Sequence, residues 1–395
     1  MYLIGEEEIA ALRKLFEKKR LYRYQSSYQS ECELFENEFS AYVNTAHSLI
    51  LSSGTNALIL SLLAAGIQPG DEVLIPCYTF VATAAAVVNA GAIPVLVNID
   101  DQLSLDLNEA QSKLSSKTKA LILVHMDGLV ANIPEALDFC KQHKLVFIED
   151  GAQAIGAGFQ SQKIGSFGDF GCFSLNENKN ISCGEGGILI TNNLNHYKTA
   201  FSLHDTPAQF SPSKKDFLKE INSVIGFSMR VSEIQGCIMR VQLTRLDYIL
   251  SELKQRKQIF KSALNKHEKI FKIVEGYSSD ECSTSIHLQF VDLEKTNLYA
   301  KKLRESGLLF APVTTRPAHA SWKWSQLLGE KAHIQKEYNP YLNTQKKYDY
   351  NLSNYLKSVE ILTRTVKMDL NLDWSMEETK LMAAKAAEVL TNETL

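Results

Sequence analysis

Between Ser40 and Asn193, short apolar and β-branched runs alternate with stretches of helical spacing. The runs predict strands over Ser48–Leu51, Glu72–Pro76, Ile93–Ile99, Ala120–His125, Leu145–Glu149, Gly171–Ser174 and Gly187–Thr191. The spacing between them predicts helices over Thr55–Ala65, Val81–Ala90, Pro134–His143 and Asn195–Leu203. Several strands are apolar at nearly every position, as expected when both faces of a sheet are covered. This alternation is α/β architecture around a mostly parallel sheet flanked by helices.

After about residue 205 the pattern changes. Pro207–Lys219 is polar and reads as a loop; its Lys214 and Lys215 are either a solvated surface or part of a lid. A long helix is predicted from Ser232 to Leu264, with Leu243, Leu246, Ile249, Leu250 and Leu253 at helical spacing. The remainder reads as α+β, with a strand at Ser285–Phe290 and helices at Leu298–Glu305 and Ser375–Leu390. Ser375 and Glu378 have the spacing of a capping box. The expected organisation is a large domain over 1–245 and a smaller α+β domain over 246–395.

Composition narrows the class. A chain of 395 residues, 45% hydrophobic and 22% charged, is long enough for two packed domains and too apolar for global disorder. Its net charge of −3 makes a nucleic-acid partner unexpected. The longest apolar run, Val81–Val97, is broken by Thr83, Asn89, Gly91 and Pro94, so no membrane partner is expected. The acidic start lacks a basic n-region, and no signal peptide is expected. The seven cysteines never occur in CxxC spacing. Neither a disulfide framework nor a metal site is expected, and the thiols fit a cytoplasmic protein.

The chemistry concentrates between Leu145 and Asn193. Asp150 closes an apolar strand, where open α/β sheets gather ligands; it is either a functional carboxylate or a helix cap or ion-pair partner. Lys179 lies on a polar loop between two strands, close to Ser174 and to Gly184-Glu185-Gly186-Gly187. A lysine near a low-dielectric pocket and other cations loses its proton readily and attacks carbonyls. Pyridoxal phosphate chemistry needs such a lysine, an acidic partner for the pyridine nitrogen and donors for the phosphate. Ser52-Ser53-Gly54-Thr55 leads from a strand into a helix: an anion cradle or an ordinary capped helix start. Phe80, just beyond a strand end, is either a stacking platform or core.

Read together, these blocks resemble the DegT/DnrJ/StrS group of sugar aminotransferases. The resemblance is carried by Ser53-Gly54-Thr55-x-Ala57-Leu58, Gly70-Asp71-Glu72-Val73 and Tyr78-Thr79-Phe80-Val81-Ala82-Thr83. It continues through Glu149-Asp150-x-Ala152-Gln153-Ala154-Ile155-Gly156 and Gly168-Asp169-x-Gly171-x-Phe173-Ser174. Lys179, Gly184–Gly187, Gly226-Phe227-x-x-Arg230-x-Ser232-Glu233 and Gln242-Leu243-x-x-Leu246-Asp247 complete it.

The resemblance implies the type I fold of pyridoxal-phosphate enzymes and a homodimer with its active site between subunits. It implies that Lys179 forms the Schiff base and shuttles protons, and that Asp150 keeps the pyridine nitrogen protonated. It places Gln153 beside the ring, Phe80 on its face, and Gly54, Thr55 and Ser174 on the phosphate. Ser228 stands where the family usually has an Asn that reaches the partner's phosphate. The family's His-Leu-Tyr-Gly reads His125-Met126-Asp127-Gly128 here, and its C-terminal His-Tyr-x-x-Pro gives way to Pro312–His319. These departures are more similar to the branch that aminates 3-deoxy-octulosonate (Kdo-type) sugars.

The implied reaction passes an amino group from glutamate or glutamine to a keto or aldehyde sugar, for a cell-envelope polysaccharide such as lipopolysaccharide or a related glycoconjugate. His125, Arg316 and His319 are candidates for the substrate. Arg230 is a candidate for the donor carboxylate or a structural ion pair. Two alternatives keep the fold: a sugar dehydratase, against which Lys179 argues because such members carry histidine there, and a non-catalytic regulator. No GxGxxG opens a helix after a strand, and Walker, HExxH and GxSxG motifs are absent.

Overall fold

The computed structural model describes residues 3–24, 29–206, 217, 224–265, 269–324, 328–332 and 336–391. The expected Pro207–Lys219 loop, with Lys214 and Lys215, lies outside these residues except for Phe217.

The helices are α1 (Glu6–Glu17), α2 (Glu31–Val43), α3 (Gly54–Ala64), α4 (Ala82–Asn89), α5 (Leu107–Lys113) and α6 (Ile133–His143). They continue with α7 (Leu194–His204), α8 (Glu233–Leu264), α9 (Leu293–Glu305), α10 (Leu356–Thr363) and α11 (Met376–Thr391). The larger sheet is built from β1 (His47–Leu51), β2 (Glu72–Pro76), β3 (Ile93–Val97), β4 (Thr118–Val124) and β5 (Val146–Asp150). After a small hairpin, β6 (Gly158–Phe159) and β7 (Gln162–Lys163), β8 (Phe170–Ser174) and β9 (Gly187–Thr191) complete it.

Its seven strands run in the order β1-β9-β8-β5-β4-β2-β3. All neighbours pair in parallel except those of β9, which is reversed. The carboxyl ends of β1, β2, β4, β5 and β8 therefore share one edge of the sheet. Apolar residues on both faces are buried, in agreement with the near-continuous hydrophobic runs.

The smaller, antiparallel sheet has the order β10-β11-β13-β12, from β10 (Phe271–Ile273), β11 (Ser285–Phe290), β12 (Ala311–Pro312) and β13 (Thr365–Asp369). Helix α8 joins the two sheets. Its first half packs on α1 and α2, and its second half packs on α11. Residue 245 falls inside this helix.

One helix start differs from the sequence reading by more than a residue or two, and its cap explains the difference. Helix α9 begins five residues earlier than Leu298 because the Asp292 carboxylate accepts the Lys295 N–H at 2.7 Å. The capping box before α11 forms as expected: Ser375 N–H donates to Glu378 at 2.7 Å, and Glu378 N–H to Ser375 Oγ at 3.1 Å. The apolar Val81–Val97 stretch divides between α4 and β3. Among the described residues no helix is long and apolar enough to cross a membrane.

Candidate active site

A cavity of about 610 Å³ opens at the shared carboxyl edge of the larger sheet. It brings together nine of the residues singled out in the sequence: Gly54, Thr55 and Phe80, then Asp150, Gln153 and Ser174, then Lys179, Arg316 and His319.

Gly54 and Thr55 start α3. Ser53 Oγ accepts the Asn56 N–H at 3.1 Å, so the N–H groups of Gly54 and Thr55 remain without intrahelical partners. The turn is tightly enclosed. A Cβ on Gly54 would lie 2.9 Å from Ser174 Cβ, and one on Gly187 would run into the Ser53 carbonyl. Free N–H groups, the helix dipole and the adjacent Thr55 and Ser174 hydroxyls form a seat for a phosphate.

Asp150, the last residue of β5, is buried. Its Oδ2 accepts the Thr83 hydroxyl at 2.9 Å and its Oδ1 the Ala152 N–H at 3.1 Å. Behind Thr83 stands the Thr79 hydroxyl at 2.8 Å. Burial raises the Asp150 carboxyl above the ordinary range, outweighing these donors and the Lys179 charge. Lys179 lies on the loop between β8 and β9, with its N–H bonded to the Asn176 carbonyl at 3.1 Å. Its amine has no hydrogen-bond or ion-pair partner among the described residues. Burial lowers its pKa, Asp150 opposes that shift, and Arg316 adds to it. A half-buried amine with this bias is suited to attack a carbonyl.

Phe80 is 45% exposed, so it is a platform rather than core. A segment from the smaller sheet side is laid along it by backbone bonds. Thr79 N–H donates to the His319 carbonyl at 3.2 Å, Val81 N–H to Ala318 at 2.7 Å, and Ser321 N–H to Cys77 at 3.0 Å. His319 therefore sits against Phe80, with ring centroids 5.3 Å apart.

The remaining candidates lie elsewhere. His125 does not line the cavity and is fully buried. Its Nδ1 accepts the Ala131 N–H at 3.1 Å and its Nε2 faces Glu149 at 3.3 Å. Glu149 in turn accepts the N–H groups of Gly165, Phe167 and Gly168, so His125 belongs to a knot beneath the site. Arg230 is paired with Asp205 and donates to Ser228 Oγ at 3.1 Å. Ser228 is exposed, and both residues lie outside this chain's cavity.

Three further cavity residues were not among the site candidates read from the sequence: Thr83, Asp127 and Lys367. Asp127 is the residue that departs from the family's aromatic, and its backbone is left-handed, at φ 52°. Its carboxylate accepts from Tyr78 Oη at 2.7 Å, Arg316 Nη1 at 2.7 Å and Lys367 Nζ at 2.8 Å, and it faces His287 Nε2 at 3.3 Å. Its N–H donates to Gln153 Oε1 at 3.0 Å. Burial pushes this carboxyl up, but Lys367, His287 and Arg316 outweigh it and hold it well below the usual range.

The anion seat, the buried carboxylate, the unpartnered amine and the ring platform match the parts of pyridoxal phosphate. Comparison with known proteins agrees. The profile of the DegT/DnrJ/EryC1/StrS aminotransferase family matches residues 3–338. The GDP-perosamine synthase of Escherichia coli O157:H7 is 30% identical over 298 residues, 75% of this chain and 80% of that one. The aminotransferase from Psychrobacter cryohalolentis superposes with a TM-score of 0.82 at 21% identity, over 99% of this chain and 98% of that one. A GDP-4-keto-6-deoxymannose-3-dehydratase superposes with a TM-score of 0.80 at 18% identity, over 99% and 98%. These structures show the shared type I fold, which hosts more than one reaction. The chain belongs to the DegT/DnrJ/EryC1/StrS aminotransferase family and is a pyridoxal-phosphate-dependent sugar aminotransferase of that family.

Proposed function

We propose that the protein transfers the amino group of glutamate or glutamine to a keto or aldehyde sugar, with Lys179 and Asp150 as the catalytic residues. The acceptor belongs to the synthesis of a cell-envelope polysaccharide or related glycoconjugate, including sugars of octulosonate type. The observation that carries the reading is the meeting of Lys179, Asp150 and the Gly54–Thr55 turn at one cavity.

Pyridoxal phosphate, when bound, supplies an aldehyde that condenses with amines and a ring that draws electrons from the attached carbon. Gly54, Thr55 and Ser174 would hold its phosphate. Asp150 would keep a proton on the ring nitrogen, and a cation there would stabilise the ionised carboxylate against its burial. Thr83 and Ala152 fix the carboxylate's orientation. Phe80 would lie against the ring and Gln153 beside it. Lys179 would hold the cofactor through its amine and, as a free amine, would move a proton at the reacting carbon. The donor skeleton leaves before the acceptor enters, so both occupy the same cavity in turn.

A homodimer working in the cytoplasm accompanies this reading. Ile225, Phe227 and Ser228 are exposed and would give a second copy a surface, at which Ser228 would take the part of the family's Asn toward the partner's phosphate. The seven free cysteines fit a reducing compartment.

The test is the absorbance of the purified protein before and after glutamate, followed by borohydride reduction and peptide mapping. A visible band that glutamate bleaches, with the reduced pyridoxyl group on Lys179, supports the reading. A band that glutamate leaves unchanged favours the dehydratase, and a protein that takes up no cofactor favours the regulator.

A further inference from the structure

Helix α8 buries Met239, Leu246, Ile249 and Leu253 along one stripe, and Gln242 interrupts that stripe with a fully buried amide. An apolar side chain there would bury without partners, whereas an amide needs its hydrogen bonds met. Both ends of this amide are engaged. Gln242 Oε1 accepts the Ser182 N–H at 3.3 Å. Gln242 Nε2 donates to the Leu3 carbonyl at 2.5 Å and to Glu8 Oε1 at 2.7 Å. A flipped amide would set its oxygen against those two acceptors, so the oxygen is committed to Ser182.

The outer end is firmly seated. Arg245 Nη1 holds the same Leu3 carbonyl at 2.8 Å and the same Glu8 oxygen at 2.7 Å. Glu8 in turn closes the start of α1 by accepting the Gly5 N–H at 2.8 Å.

The inner end meets the node of the loop that carries Lys179, residues 175–186 between β8 and β9. The Ser182 hydroxyl donates to the Leu175 carbonyl at 3.0 Å and accepts the Gly184 N–H at 2.9 Å, so it ties the two stems of the loop together. Asn180 and Ile181, which join Ser182 to Lys179, are both buried. A displacement at 182 is therefore carried to 179 rather than absorbed on the way. The placement of the amine is set by its loop, and a small misplacement of a reacting group is costly in rate.

We infer that Gln242 is a positioning residue for Lys179: through Ser182 it fixes the loop bearing the catalytic amine, and it anchors that loop to the N-terminal helix α1. The inference rests on Lys179 being the reacting amine. Borohydride mapping of wild type comes first, and a pyridoxyl group on another residue would overturn that reading whatever Gln242 does.

Three variants carry the test. Gln242→Met removes both ends of the amide at similar length. Glu8→Ala removes one outer anchor. Arg240→Met cuts the ties of α8 to Glu31 and Glu38 on α2 and leaves the brace whole, so it is the control for loosened packing. In the apoprotein, Lys179 is methylated with formaldehyde and cyanoborohydride across a range of pH and followed by peptide mapping. Burial holds this amine below its ordinary value, Asp150 and Asp127 oppose that, and Arg316 adds to it. A loosened loop lets the amine reach water, so the midpoint should rise in Gln242→Met. In the holoenzyme, the bleaching of the visible band by saturating glutamate should slow by about tenfold to a hundredfold, while half-saturating glutamate changes by less than about threefold. Glu8→Ala should move both readings in the same direction, and the double variant should be no slower than Gln242→Met alone. Arg240→Met should change neither, however much its melting temperature falls. An unmoved midpoint and rate in Gln242→Met overturn the inference. So does equal slowing in Arg240→Met, since loosened packing of α8 would then account for the loss. If Gln242→Met does not fold, Glu8→Ala carries both readings.

Discussion

The Thr83 hydroxyl donates to Oδ2 of Asp150 at 2.9 Å and is itself braced by Thr79 at 2.8 Å. Thr83→Val removes a donor that favours the ionised carboxylate, so the Asp150 carboxyl moves further up. The acid limb of the pH profile of kcat/KM should shift to higher pH. Cofactor affinity should fall by about tenfold, the cost of one hydrogen bond to a charged group. Absorbance titration with pyridoxal phosphate and a pH–rate profile measure both; an unmoved acid limb would show that Thr83 does not orient the carboxylate.

Lys179→Ala should abolish turnover while cofactor still enters the cavity, and borohydride should then leave no pyridoxyl group on the chain. Asp150→Ala should lower kcat by about a thousandfold or more with the fold intact. Circular dichroism beside single-turnover rates separates loss of chemistry from loss of structure.

Asp127→Asn leaves Arg316 and Lys367 facing an uncharged amide. Breaking a buried ion pair from one side costs about 3 kcal/mol, so the variant should unfold several degrees lower at pH 7. The sign follows from a carboxyl held below its ordinary range. Its contribution is present above the unfolded value near 4 and is lost as pH falls through the lower folded value. The gap between wild type and variant should therefore stay constant from pH 7 to about 4.5 and narrow below. Thermal unfolding across that range checks it, and a gap that widened toward acid would refute the assignment.

Burial, reinforced by the Arg316 charge, pushes His319 down to about 4. The ring is then neutral through the physiological range and should add no inflection to kcat/KM between pH 5 and 8. Removing the cation in Arg316→Gln should move the His319 titration upward, while burial, the larger cause, keeps it below its ordinary value. The ring resonances followed by NMR give the same answer without turnover.

Gly187→Ala should press on the Ser53 carbonyl and displace the anion seat. Overpacking of this kind costs about 1–3 kcal/mol. Cofactor affinity should fall more than thermal stability, as read by competition with inorganic phosphate and by melting.

The larger sheet was legible because burial on both faces writes itself as unbroken apolar runs, and β2 and β9 begin and end where those runs do. Lys179, Asp150 and Gly54 were legible because each sits at a strand end or turn in ordered blocks. Asp127 and Lys367 were not. Lys367 reads as an ordinary charge in the strand Thr365–Asp369, and only the pairing of β13 with β11 and β12 turns it toward the cavity. His125 misled in the opposite direction: a histidine in a motif reads as a ligand, yet its two nitrogens are spent on Ala131 and Glu149. Spacing along the chain reveals local geometry, whereas partners more than a hundred residues away come only from the fold.

The segment carrying Arg316 and His319 is fastened to Cys77–Val81 by main-chain bonds, which do not depend on which side chains it bears. Its side chains can be exchanged without unfastening it and without touching the Gly54–Thr55 turn, although His319 does meet the Phe80 ring. On the proposed reading, in which this stretch meets the acceptor, the enzyme would separate what it does to an amino group from whom it gives it to. A lineage could try new acceptors by rewriting this one stretch, keeping a working reaction at every step.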